Sequence, residues 1–287
     1  MPSFVTQFLR HYLLSLQFFT RIPVTGRLAE WVGFSPAMLR ASAGHFPGVG
    51  LLVGICVAAF SAMLWWALPR TELAPLVVAA LGTVVGVLIT GAFHEDGLAD
   101  VADGLGGAYD RDRALTIMKD SRVGAFGAIA VVLALVCKVA LLALLGSVSA
   151  WLMGVGLLAG HVVSRTWPLL TIRLMPHVGD AAGSKSKPLA DQISGVALGS
   201  GFVWCFSAIA LVVVVFDAMG AVDGGLGGLS GQRLVTILTV AIAFSGLAWA
   251  WTARWFRRRL GGFTGDCLGA TQQVCELAFY LGLAVAW

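Results

Sequence analysis

Residues 73–107 read LAPLVVAALGTVVGVLITGAFHEDGLADVADGLGG. The first part, 73–93, carries no charge and is close to the ~20 apolar residues that a bilayer-spanning helix needs. It then runs straight into His94, Glu95, Asp96, Asp100 and Asp103. An apolar segment of this length predicts a membrane span, and the acidic cluster at its end predicts a site. The rest of the chain repeats the first signal. Of its 287 residues 58% are hydrophobic and only 12% charged, and the mean hydropathy is +0.87. A soluble domain does not have this composition. Apolar runs near 47–68, 73–93, 123–146, 150–171, 193–216, 234–253 and 268–286 predict an all-α, polytopic transmembrane helix bundle of about seven spans. The opening MPSFVTQFLRHYLLSLQFFTRIPV is interrupted by Arg10, His11 and Arg21. It lacks a signal-peptide pattern and reads as an N-terminal helix lying at the membrane interface.

No internal repeat and no soluble module interrupts the pattern, so residues 1–287 read as one integral membrane domain. The stretches 176–192 and 217–233 read as a polar inner loop and a Gly-rich outer loop. Cys56, Cys137, Cys205, Cys267 and Cys275 show no paired spacing and suggest neither disulfide nor zinc. With seven spans and the N-terminal segment in the cytoplasm, fifteen Lys and Arg residues outside the spans fall inside, while only Arg70 and Arg233 fall outside. That asymmetry orients the bundle. The formal charge of +4 then reflects topology and an anionic ligand. No basic helix or aromatic platform is laid out for nucleic acid.

Three constellations carry chemistry. Asp96, Asp100 and Asp103 are spaced i, i+4, i+7 and fall on one stripe of a helix. Hard carboxylate oxygens in that arrangement suit Mg²⁺. A solvated acidic loop would account for the charge, but not for the single stripe or for the flanking glycines. Gly97 and Gly104 lie beside the stripe, where a missing Cβ would let a phosphate approach. His94 points away from it and is a candidate base, phosphate contact or interface residue. The second constellation is Lys119, Asp120, Ser121 and Arg122 at the mouth of the third span. Positive-inside flanking explains its cations but not the Asp and Ser between them, and Arg122 suits bidentate phosphate binding. The third is LGGFTGDCLGATQQVCE, residues 260–276. Thr264 and Gly265 sit at a glycine turn entering a helix, an anion-binding arrangement. Asp266 makes sense there if a metal lies between it and the phosphate. Glu276 and Arg165 are charges inside spans, functional candidates by position. Lys138 is a possible partner for an acid.

At these residues the chain resembles the cobalamin synthase family, the adenosylcobinamide-GDP ribazoletransferases of vitamin B12 biosynthesis. The resemblance rests on LQFFTRIPV (16–24), FPGVGLLVG (46–54), GAFHEDGLADVADGL (91–105), IMKDSRVGAFG (117–127), Ser164–Arg165 and GGFTGDCLGATQQVCE (261–276), in order over nearly the whole chain. It implies a Mg²⁺-dependent enzyme of the bacterial inner membrane, with its active site facing the cytoplasm. In that reaction α-ribazole or its 5′-phosphate attacks the diphosphate of adenosylcobinamide-GDP, giving adenosylcobalamin or its 5′-phosphate and GMP. Metal-assisted phosphoryl transfer fits the residues. Asp96, Asp100, Asp103 and Asp266 are then expected at Mg²⁺, with Lys119, Arg122 and Arg165 on phosphate charge. His94 is the candidate base. Gly97, Gly104, Asp120, Ser121, Thr264, Gly265 and Glu276 are expected to bind substrate. Membrane lipid is an expected partner, and an oligomer is compatible with the sequence. Two rivals share features. CDP-alcohol phosphotransferases use DxxDG, matched by Asp100–Gly104, but their further motif residues are absent here. A cation-coupled transporter would place its carboxylates near the midplane, whereas these charges gather at one face.

Overall fold

The computed structural model describes residues 3–179, 192–222 and 231–287, with side chains in the second stretch through Ala218. Twelve α-helices are built from them: α1 (Phe4–Phe19), α2 (Gly26–Val32), α3 (Pro36–Ser42), α4 (Phe46–Ala67), α5 (Ala74–Thr90), α6 (Phe93–Gly107), α7 (Arg111–Ile117), α8 (Ala125–Val148), α9 (Ala150–Leu174), α10 (Gly195–Val222), α11 (Gly231–Leu260) and α12 (Gly265–Ala286). Their starts follow local chemistry. The side chains of Ser3, Ser35, Asp110, Ser149 and Thr264 accept from backbone N–H groups of the first turns of α1, α3, α7, α9 and α12. Each satisfies a donor that the helix leaves orphaned.

A helix covers each of the seven predicted spans. Four stretches among the described residues are long and apolar enough to cross a membrane: Pro36–Ala67, Ala125–Val148, Gly195–Ala218 and Gly231–Leu260. The α5–α6 pair makes a fifth if it is counted as one broken segment, for the two helices meet at 89°. The other two differ from expectation for a physical reason. α9 and α12 are long enough, but they carry His161, Arg165, Gln272, Gln273 and Glu276 and are the most buried helices. The apolar α8 and α10 shield them, with only 17% of their most hydropathic windows buried. The expected loops also shift. α10 continues to Val222, α11 begins at Gly231, and 180–191 and 223–230 lie outside the described residues.

Small residues let the inner helices close. A Cβ on Gly50 or Gly54 of α4 would strike the backbone carbonyls of His161 or Leu157 on α9. Without a Cβ the backbones approach, which is how membrane helices gain dispersion energy when lipid offers no hydrophobic contrast. The helix ends at one face are stitched together. Arg111 Nε donates to the Leu260 carbonyl at 2.7 Å, Arg259 to that of Ala108, and Arg257 to that of Leu174 at 3.4 Å. Val178 and Phe263 pair their backbones nearby, Val178 N–H donating to the Phe263 carbonyl at 2.9 Å. At the far end of α8, Gly146 packs on Pro75 and Trp65. A helix of 24 residues spans roughly 36 Å, so these two ends belong to opposite faces.

Candidate active site

The break between α5 and α6 sets up the acidic stripe. Gly91 closes α5 in the left-handed region (φ 65°), where glycine is unstrained. Ala92 follows with φ 58°, the sole non-glycine residue with positive φ among those described. The Arg21 backbone N–H donates to the Ile89 carbonyl at 2.7 Å, and its side chain lies flush on Gly91. α6 therefore leaves α5 at a fixed angle and carries its carboxylates across the bundle. Asp96 is exposed, Asp100 half-buried and Asp103 buried.

The N-terminus of α12 comes to the same place. Thr264 Oγ1 caps the helix, accepting from Cys267 N–H at 3.4 Å, and is 3.2 Å from Asp266 Oδ2, to which it donates. Gly97 lies against the backbone of Asp266 and Gly269. Asp100 is within electrostatic reach of Asp266, Asp96 and Asp103. The two motifs, far apart in sequence, thus share one acidic centre. Among the described residues, no Lys or Arg hydrogen-bonds or ion-pairs with Asp96, Asp100 or Asp266. The same residues contain no tight group of three His, Cys, Asp or Glu side chains that would enclose a metal. Mutually repelling hard oxygens with no cation bonded to them among the described residues suit Mg²⁺ shared with substrate phosphates, which needs only one or two carboxylates from the protein.

Asp103 has other partners. Gly124 N–H donates to its Oδ2 at 2.7 Å and Gly127 N–H to its Oδ1 at 2.8 Å. It therefore holds the N-terminus of α8, an electropositive helix end, and both oxygens are engaged. The two glycines expected to admit phosphate are packing residues instead. The space at Gly97 is filled by Asp266 and Gly269, and that at Gly104 by Met118 and Ala114.

The predicted phosphate arm is exposed at Lys119, Ser121 and Arg122, with Asp120 intermediate. Arg122 grips Asp120, with Nη2 2.6 Å from Oδ2. The guanidinium hydrogen bonds hold the Asp120 carboxyl down to about 2. The clasp is therefore intact above the ordinary carboxylate range and opens as pH falls through about 2.

Arg165 and Glu276 do not face this centre. They belong to a polar cluster buried among the helices. Lys138 Nζ is 2.7 Å from Glu276 Oε1, which also accepts from Tyr280 OH at 2.7 Å. Gln272 Nε2 donates to Glu276 Oε2 at 2.6 Å, and it also lies 3.1 Å from Ser164 Oγ. Arg165 is 2% exposed. Its Nη1 is 2.9 Å from both Nδ1 and the carbonyl of His161, and its guanidinium sits over the Phe46 ring. Gln273 Nε2 donates to Glu95 Oε1 at 3.0 Å. Two cations, Lys138 and Arg165, balance two carboxylates, Glu95 and Glu276. That is the condition for keeping charge in a membrane interior. Arg165 and Glu276 are thus interior pairing groups, not surface contacts for a phosphate. Sequence reading missed His161, Gln272, Gln273 and Tyr280 as members. The signal was present: His161 lies four residues before Arg165, and Gln272, Glu276 and Tyr280 recur every four residues on one helical stripe. His94 is buried too, its ring stacked on Phe46 at 5.7 Å and 12°.

Comparison with known proteins supplies a family. The profile of the cobalamin-5-phosphate synthase family matches residues 11–284. The chain is 73% identical to the adenosylcobinamide-GDP ribazoletransferase of Albidiferax ferrireducens, covering 98% of this chain and 99% of that protein. It is 61% identical to the protein of that name from Polaromonas naphthalenivorans (98% and 99% covered) and 44% identical to that of Leptothrix cholodnii (97% and 96%). No solved structure matches. A match over nearly the full length, with the acidic stripe and the glycine turn both inside it, places this chain in the cobalamin-5-phosphate synthase family.

Proposed function

We infer that the protein is an adenosylcobinamide-GDP ribazoletransferase, joining α-ribazole or its 5′-phosphate to adenosylcobinamide-GDP with release of GMP. The observation that carries the site assignment is the meeting of Asp96 and Asp100 on α6 with Asp266 at the start of α12. One or two of these carboxylates, with substrate phosphates, would hold Mg²⁺, which would neutralise diphosphate charge and support departure of GMP. The chain's own residues do the rest. The α12 N-terminus, with Thr264 as its cap and Gly265 as its first residue, offers backbone N–H groups to a phosphate oxygen. Lys119 and Arg122, on the exposed connection before α8, reach phosphate from the solvent side once Arg122 leaves Asp120. Asp103 acts at one remove, fixing α8 and with it the root of that connection. The buried polar cluster keeps α6, α8, α9 and α12 in register beneath the carboxylates.

The face bearing Arg111, Arg257 and Arg259 is assigned to the cytoplasm of the bacterial inner membrane, where soluble nucleotide substrates arrive. The test is turnover by purified protein given adenosylcobinamide-GDP and α-ribazole, with and without Mg²⁺. Cobalamin and GMP should appear in equal amounts and only with the metal. GMP release without cobalamin, or turnover of a CDP-alcohol instead, would overturn the assignment.

A further inference from the structure

Beside the acidic centre lies a crevice whose side chains the transfer chemistry above does not use. It is bounded by Phe18 and Phe19 of α1, Phe46 of α4, Phe93 and His94 of α6, and Leu268 of α12, with Gly265 and Gly269 at its rim. Those two glycines flank Asp266, so the crevice opens next to the proposed phosphate site. It leaves about 20 Å³ of free space. His94 is 1% exposed, and its Nε2 has no hydrogen-bond partner among the described residues. An orphaned buried ring nitrogen is costly and calls for a partner. The space can hold one water, but a buried water needs two to four polar contacts. The lining side chains offer it His94 alone. What fits better is a flat apolar body bringing a single hydrogen-bonding atom. The stacking of Phe46 on His94, with Phe19 stacked on Phe46 at 4.0 Å, shows the aromatic geometry such a body would join.

We propose that this crevice is the closed form of the nucleobase subsite, taking the benzimidazole ring of α-ribazole with His94 Nε2 hydrogen-bonded to its free ring nitrogen. Resting on the transfer activity inferred above, the assignment chooses between the two bases in that reaction. Guanine carries donors and acceptors around its whole edge, and a lining whose one polar side chain is His94 would leave most of them unsatisfied. A dimethylbenzimidazole has one free ring nitrogen and an otherwise apolar outline. The ring is larger than the closed space, so entry requires Phe93 to swing outward. Phe93 is 38% exposed and directly follows Ala92, the left-handed residue at the α5–α6 break. Backbone strain of this kind is often kept where a segment moves or binds.

The experiment is steady-state kinetics of the purified enzyme, varying each substrate in turn. His94→Phe keeps the shape and removes the hydrogen bond. It should raise KM for α-ribazole roughly 10- to 100-fold, the size expected when a buried partner goes unsatisfied. KM for adenosylcobinamide-GDP and kcat should each stay within about threefold. A loss confined to kcat, together with loss of one limb of the pH–rate profile, would make His94 the base that activates the ribose hydroxyl and would overturn the proposal. A raised KM for adenosylcobinamide-GDP alone would place guanine or the corrin here, with the same result. A second arm needs no variant. An α-riboside with the free ring nitrogen replaced by C–H should bind wild-type enzyme as weakly as α-ribazole binds His94→Phe, and lose nothing further in that variant. Equal KM for the two ribosides on wild type would sink the assignment. Wild-type enzyme with no transfer activity would instead refute the underlying function.

Discussion

The acidic residues divide into two kinds of work, and single substitutions should separate them. Asp100 is half-buried, faces Asp96 and Asp266, and is bonded to no Lys or Arg among the described residues. Asp100→Asn removes charge from the proposed metal–phosphate centre while keeping the shape. It should cost about 2–4 kcal/mol of transition-state stabilisation, roughly 30- to 1000-fold in turnover, with thermal stability in detergent nearly unchanged. Asp103→Asn should behave in the opposite sense. The amide retains one acceptor for the two N–H groups of Gly124 and Gly127, so one charge-assisted bond is lost and about 1–3 kcal/mol of stability with it. Turnover per folded molecule should fall much less than in Asp100→Asn. Parallel melting curves and kcat measurements decide; an Asp103→Asn protein of normal stability and no activity would return Asp103 to the metal. The sequence could not have made this distinction. Spacing puts all three Asp on one stripe, but the stripe is long enough for its last member to meet a different neighbour. That neighbour is the start of α8, a contact between residues more than twenty positions apart.

At the scale of helices, the decisive event is the crossing of α6 with α12. The helices themselves were legible, because apolar runs of about twenty residues have few other solutions. The crossing was only half legible. Placing both motifs at the inner ends of spans suggested that Asp266 joins the stripe, but the 89° bend at Gly91–Ala92 that aims α6 at α12 has no signal beyond a lone glycine. Gly97 was read as room for an anion and is in fact where the two helices touch. A Cβ there would come within 2.8 Å of the Asp266 carbonyl oxygen and 3.3 Å of the Gly269 Cα. Backbone cannot swing aside as a side chain can, so Gly97→Ala must push the helices apart. The overpacking penalty is about 1–3 kcal/mol, offset by up to ~1 kcal/mol because alanine favours the helix. Activity should fall more than stability, since the crossing positions the carboxylates. A double-mutant cycle tests the same contact without changing the packing. Asp100→Asn and Asp266→Asn should be non-additive in kcat/KM, because a centre disabled once is not disabled again. Additive losses, with the Mg²⁺ dependence of Asp266→Asn unchanged, would separate the two helices functionally.

Across the whole molecule, polarity is inverted relative to a soluble protein: the apolar α8 and α10 face outward, and α9 and α12, which carry the buried polar side chains, are enclosed. This arrangement is why α9 and α12, both expected as spans from the sequence, fall short of the hydropathy of a lipid-facing helix. It also makes the Lys138–Glu276 pair a structural keystone. Lys138→Met leaves Glu276 charged and buried and should cost about 3–5 kcal/mol, whereas Lys138→Met with Glu276→Gln should recover much of it; melting in detergent reads both. The last prediction concerns which way the bundle faces. Arg111, Arg257 and Arg259 tie helix ends together at the face where α6 and α11 finish, while Arg70 lies on the connection between α4 and α5 near the opposite end. Fifteen cationic residues against two require the first face to be cytoplasmic if translocation obeys the charge bias. Tyr109 is fully exposed at that face, and Thr71 is exposed on the α4–α5 connection. In a cysteine-free background, an impermeant maleimide added to intact cells should label Thr71→Cys and leave Tyr109→Cys unlabelled until the inner membrane is opened. The reverse pattern would put the acidic centre on the periplasmic side, away from cytosolic nucleotides, and would break the functional assignment together with the topology.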